Sequence, residues 1–324
     1  MRNMVAITHT KSPYIALFTA FQLFGLCGTV LMLLTAILAR GAPRHDAWFS
    51  VVFSFVVSTT SYCLLLMAGH INNFKPPISI CASQAALIYA APPLTAGTSL
   101  GLVAQIYYNI SNVGNESGDA RRRKSWSIAI VILPYLFYFP MAIASLVAGL
   151  NHPDAAQRGS DSAYCSFNDK LSAIPRVASI TTAVLMIPVI GLQIATWIKL
   201  RRTWRVIREQ VVPLGTVVRV LTFTVFGALC IGLGVVVASV PNWNPAFDIM
   251  LATVPVAFVL IFGSQPDLCI YWAFWKWRWR NGSFLRYDSE LNPSSSATRL
   301  TVPRRPPRFA DVHTFPPPLN TTFK

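Results

Sequence analysis

The sequence predicts an all-α, polytopic membrane protein: a seven-transmembrane helix bundle with the N-terminus outside and the C-terminus inside. Three observations predict it. Only 12% of the residues are charged and 53% are hydrophobic, with a mean hydropathy of +0.48, whereas a soluble domain carries about 25% charged residues. The apolar residues gather into seven long runs nearly free of charge, each near or above the roughly 20 residues a helix needs to cross the hydrocarbon core. The basic residues fall mostly in alternate connections between those runs, which fixes an orientation. Helices are the only spanning form open to such a chain, because open strands leave backbone groups unsatisfied in lipid.

Residues 1–13 form a short polar extracellular tail. The runs then cover residues 14–39, 48–69, 81–109, 126–150, 174–198, 214–240 and 247–274. The first is too long for a signal h-region and is expected to act as its own uncleaved anchor. The second carries the polar cluster Ser58, Thr59, Thr60 and Ser61. The third, from Cys81 to Asn109, is the stretch around which the rest is organised. A long polar loop holding Cys165 separates runs four and five, and the strongly basic segment KLRRTWRVIREQ follows run five. The bundle closes at residue 281 with WKWRWR behind the seventh run, where indoles at headgroup depth and cations on anionic lipid form an interfacial anchor. Residues 282–324 are rich in Ser, Pro and Arg and are expected to be a disordered cytoplasmic tail.

With the N-terminus outside, sixteen lysines and arginines lie in the inner loops and just behind run seven, and six lie on the outer side. This is the positive-inside pattern. It also accounts for the net charge of +15 and the pI near 10.0, which in a soluble protein would point to nucleic acid. Here the cations sit between apolar runs and face the cytoplasm and anionic headgroups of the bilayer, so no nucleic-acid partner is expected. The sequons at Asn109, Asn115, Asn281 and Asn320 all fall inside, where they go unglycosylated.

Six cysteines are present. Cys27, Cys63, Cys230 and Cys269 lie in or near the runs and read as small buried residues. Cys81 and Cys165 lie on the oxidising outer face, where a bridge persists and favours the folded state by roughly 2–4 kcal/mol. The alternative is two unrelated thiols. Ionisable residues within the runs are scarce, with Asp248 at the outer start of run seven and Asp267 near its inner end. That scarcity argues against a pump or proton-coupled transporter. Run seven has no lysine for a retinal Schiff base, histidines do not cluster for a zinc site, and no G-x-S-x-G elbow occurs. The chain reads as a non-enzyme with no catalytic residues, no metal and no cofactor.

Prolines punctuate the runs, and Pro92-Pro93 stands out beside Tyr89 and Thr95 in run three. A proline removes a ladder hydrogen bond and opens space between helices. Gln22, Gln84, Gln105 and Gln193 read first as interhelical hydrogen-bond glue. Gln84, Tyr89, Pro92 and Asp248 are the candidate contacts for an extracellular ligand.

The chain resembles the seven-transmembrane receptor superfamily, the G-protein-coupled receptors, and in texture the receptor-like membrane proteins of fungi. The resemblance spans residues 14–280 and rests on seven runs, Cys81 at the top of run three, Cys165 in the second outer loop, Pro188 in run five, and GSQPDLCIYW near the inner end of run seven. The inner end of run three reads QIYYN in place of the rhodopsin-like acidic-Arg-aromatic triplet, and run six lacks an aromatic-x-Pro motif. The resemblance implies a plasma-membrane receptor that signals to a heterotrimeric G protein held at inner loops two and three. The basic residues of those loops, Arg121, Arg122, Arg123 and Lys124, then Arg201, Arg202, Arg205 and Arg208, are the candidate effector contacts. Lipid contact alone also explains the second group. A carrier or channel for a neutral solute, and a scaffold that recruits partners through basic loops and a Pro-rich tail, are the competing functions.

Overall fold

The computed structural model describes residues 13–38, 45–71, 73, 75–111, 120–159, 162–202, 218–227, 245–265, 268–269 and 272. Side chains are described from residue 125 in the fourth helix and from 248 in the last. The N-terminal tail, Asn115, Arg205, Arg208, Cys230, Pro266, Asp267, WKWRWR and the C-terminal tail lie outside the described residues.

The described chain is helical apart from one small hairpin. The helices are α1 (Pro13–Leu38), α2 (Asp46–Met67), α3 (Ile78–Ser111), α4 (Ala120–Asn151), α5 (Ala173–Arg202), α6 (Val218–Gly227) and α7 (Pro245–Gly263). The first five are long and apolar enough to cross a membrane, and α6 and α7 are shorter apolar helices. The chain is thus a multi-pass membrane protein with five candidate spans among the described residues. Between α4 and α5 lie β1 (Ala156–Arg158), β2 (Cys165–Phe167) and a 3-10 turn, Asp169–Leu171. The strands pair antiparallel, with Ala156 opposite Phe167 and Arg158 opposite Cys165.

α3 is the central helix. Of its apolar stretch 61% is buried, against 17% for those of α4 and α5. Its sequence explains the position. Ala82, Ala85, Ala86, Ala90, Ala91 and Ala96 line it, and small residues let helix backbones approach where lipid supplies no hydrophobic drive. A Cβ placed on Gly97 would meet Pro134 of α4 at 3.2 Å. α3 continues as helix through Pro92 and Pro93, so the proline pair does not interrupt it. Thr95 donates back to the Pro92 carbonyl at 3.0 Å.

Bulky apolar residues on α4 and α5, among them Leu136, Phe137, Ile180 and Ile187, point away from the bundle and are more than half exposed. In lipid that exposure is the favourable arrangement. The interior carries an aromatic stack. Phe55 of α2 lies on Phe258 of α7 with centroids 4.1 Å apart, and Phe223 of α6 packs edge-on to both. Side-chain hydrogen bonds cross between helices, as between the hydroxyls of Ser54 and Thr98 at 2.9 Å. α1 and α7 lie side by side. A Cβ on Gly25 would meet the Pro255 ring at 2.6 Å, and one on Gly28 would meet the Val259 side chain.

The Gly25 contact is against a rigid ring, so Gly25→Leu should lower the melting temperature of the purified protein, at a cost of about 1–3 kcal/mol from overpacking. Gly191→Leu is the control, because nothing lies within 4 Å of a Cβ there. Thermal unfolding monitored in detergent separates the two, and equal melting temperatures for both variants would contradict the close α1–α7 seam.

Candidate functional site

A small hairpin docks against the end of α3 that carries Cys81. A loop entering this region brings backbone donors and acceptors into an apolar setting, and each must find a partner. The hairpin does so through three fastenings.

The first is covalent. Cys81, in the first turn of α3, is bonded to Cys165 at the start of β2, with Cα atoms 5.3 Å apart. The bridge expected from the sequence is therefore present, and both cysteines are buried. Cys27, Cys63 and Cys269 are free thiols.

The second is Gln84, one turn farther along α3. Its amide nitrogen donates to the carbonyls of Ser61 and Tyr62 on α2, both at 3.2 Å. Its oxygen accepts the Cys165 backbone N–H at 3.0 Å. One fully buried side chain thus holds α2, α3 and β2 together. Tyr89 follows in the same direction, stacked on Phe167 with centroids 5.5 Å apart.

The third fastening reaches α7. The Tyr164 hydroxyl donates to Asp248 Oδ1 at 2.7 Å. Asp248 stands in the first turn of α7, where the helix dipole favours a carboxylate. The Tyr164 ring sits between Phe18 of α1 and Tyr62 of α2, with centroids 5.6 and 5.5 Å away. Burial, then the Asp248 carboxylate beside it, push the Tyr164 phenol well above its ordinary 10.0. A raised phenol pKa means the folded state favours the protonated form. The donor is therefore intact below pH 10, and the stability it contributes is lost as pH rises past the unfolded value.

Arg158 secures the outer edge of the hairpin. Its Nε donates to the Ser162 carbonyl at 2.9 Å, and Nη1 donates to Ile71 at 2.7 Å and Asn73 at 3.1 Å, in the α2–α3 connection.

Three of the four candidate ligand contacts, Gln84, Tyr89 and Asp248, therefore meet at the hairpin, each engaged by one of its residues. Pro92 lies a turn deeper in α3, partly buried. Tyr164, Phe167 and Arg158 went unrecognised in the sequence. The available signal was weak, an alternation over CSF alone, facing AQR across a turn with Gly159. At the opposite end, Arg201 and Arg202 are exposed in the last turn of α5. The Arg201 guanidinium lies 4.7 Å from the Trp197 ring centroid, and Lys199 Nζ lies 5.6 Å from that of Tyr107 on α3. Arg121 to Lys124 fall in the first turns of α4 at this same end. Among the described residues no cluster of His, Cys, Asp and Glu is placed to hold a metal.

Two outcomes follow for this site. Tyr164→Phe should lower stability by about 1–3 kcal/mol, the cost of leaving a buried acceptor unpaired. In that background Asp248→Asn should add little, since the two share one bond; thermal unfolding of the four combinations measures the coupling, and simple additivity would show that the bond contributes nothing. Cys81→Ser, Cys165→Ser and the double variant should likewise show equal losses of surface expression in whole cells, and a double variant worse than either single would mean that the cysteines act separately.

No protein-family model matches the chain and a search of curated proteins finds no match, so the functional reading rests on the geometry of its two ends.

Proposed function

We propose that the protein is a cell-surface receptor of the seven-helix type, with the hairpin outside, that senses an extracellular ligand and signals to a cytosolic effector of the heterotrimeric G-protein class. The observation that carries this is the unequal fastening of the hairpin. It is tied to α3 by a covalent bond and to α7 through the side-chain hydrogen bond from Tyr164 to Asp248. A ligand with a donor or cationic group competes with Tyr164 for the carboxylate. The disulfide keeps the hairpin in place while α7 is released from it. Such a ligand acts by differential affinity for the fastened and released forms.

The excess of basic residues at the end away from the hairpin supports placing that end in the cytoplasm. There Arg201 and Arg202 stand exposed, and acidic or phosphate-bearing partners would meet them, together with the basic residues that flank them in sequence. Asp248, Gln84 and Tyr89, with Pro92 below them, are the residues proposed to sense the ligand.

The test is co-purification of a G-protein α subunit from plasma membranes, expected to be lost on adding a non-hydrolysable guanine nucleotide. Changing Arg201, Arg202, Arg205 and Arg208 together to Gln should abolish that capture at unchanged surface level. Capture by the variant equal to wild type would remove the effector assignment. Solute flux in proteoliposomes without any captured effector would replace the receptor with a carrier.

A further inference from the structure

A shallow, open groove lies between α3, α5 and α6, lined by Val103, Ile106, Trp197, Val220 and Leu221 with Gln193 and Thr196. Both polar residues are occupied within the protein. Gln193 donates its amide to the Val220 carbonyl and to Thr224 Oγ1. Thr196 donates to the Leu192 carbonyl at 2.7 Å. The side-chain donors are thus spent within the protein, and the groove presents almost only apolar surface.

Its rim is different. Arg201 lies one turn beyond Trp197, about 6 Å farther toward the end of the bundle, and its guanidinium covers the Trp197 ring at 4.7 Å. Lys199 reaches across from α5 to the Tyr107 ring of α3, one residue past the groove residue Ile106, at 5.6 Å. Both cations thus bend onto rings at the mouth of one groove. No Asp or Glu occurs anywhere in α3, α5 or α6, so the three helices that build the groove supply no counter-charge.

We propose that this groove is a binding site for one anionic phospholipid, with an acyl chain along Val103, Ile106, Trp197 and Leu221 and the headgroup phosphate against Lys199 and Arg201. The charge complement argues for this occupant. A neutral lipid leaves the cations unmatched, and a soluble anion leaves the apolar floor uncovered. The proposal is independent of which face of the membrane this end occupies.

The experiment uses the full-length protein in micelles containing phosphatidylserine and phosphatidylcholine with identical acyl chains, with retained lipid read by native mass spectrometry. Wild type should retain phosphatidylserine over phosphatidylcholine by about thirtyfold, the scale expected of two cations at a membrane surface. Lys199→Gln with Arg201→Gln should bring that ratio to about one, and Leu221→Trp, which fills the groove and keeps the cations, should reduce retention of both lipids. Equal retention by wild type, or unchanged phosphatidylserine retention in either variant, overturns the proposal. Independently of any variant, phosphatidylserine with a photoreactive acyl chain should label wild-type α3, α5 or α6. Label confined to other helices, or a dimer that excludes the lipid, assigns the groove to another occupant.

Discussion

Everything at the hairpin end depends on one turn of α3. Cys81 and Gln84 sit three residues apart on a helix, and that spacing places them on one face. The cysteine holds β2 by a covalent bond, and the glutamine saturates the backbone donor of the same residue, Cys165. Without the glutamine, the bond would bring an unpaired N–H into the bundle. Without the bond, the glutamine would have to hold the loop unaided against its chain entropy. The same glutamine caps two carbonyls of α2, so the second helix is positioned by the residue that positions the loop. Tyr164, Phe167 and Arg158 dock where they do because this turn has already set the register of the hairpin.

Much of this was legible in the sequence. Lipid imposes length and apolarity on every span, so the ends of α1 to α5 fall within a few residues of the apolar runs. The disulfide was legible because redox compartment and loop position restrict which cysteines can meet. The reading of glutamines as glue holds for Gln84 and Gln193, which bond across helices, and fails for Gln105, whose amide turns to Asn109 on its own helix. A sequence marks a buried amide but not the direction in which it turns. Pro92-Pro93 shows the same limit. The sequence marks the lost ladder bonds and the space they can open, yet α3 runs on as helix through the pair.

The Tyr164–Asp248 bond was not legible. Its partners are 84 residues apart, on elements that periodicity describes only singly. Asp248 was visible as a rare acid near a span, and rare intramembrane acids invite a functional reading. What the sequence lacked was the phenol that meets it. The hairpin itself was hidden because three-residue strands carry too little alternation to rise above a polar loop.

The disulfide also has a consequence for the order in which the molecule is built. Cys165 follows α4 in the chain, so its bond to Cys81 cannot close until four helices have been threaded and their connecting loop has emerged. At that moment the Asp248 carboxylate that accepts from the Tyr164 hydroxyl has yet to be made, because it belongs to α7. A nascent chain stalled before α7 would carry a correctly oxidised but incompletely seated loop. The arrival of α7 thus supplies the acceptor that completes the seating of the hairpin.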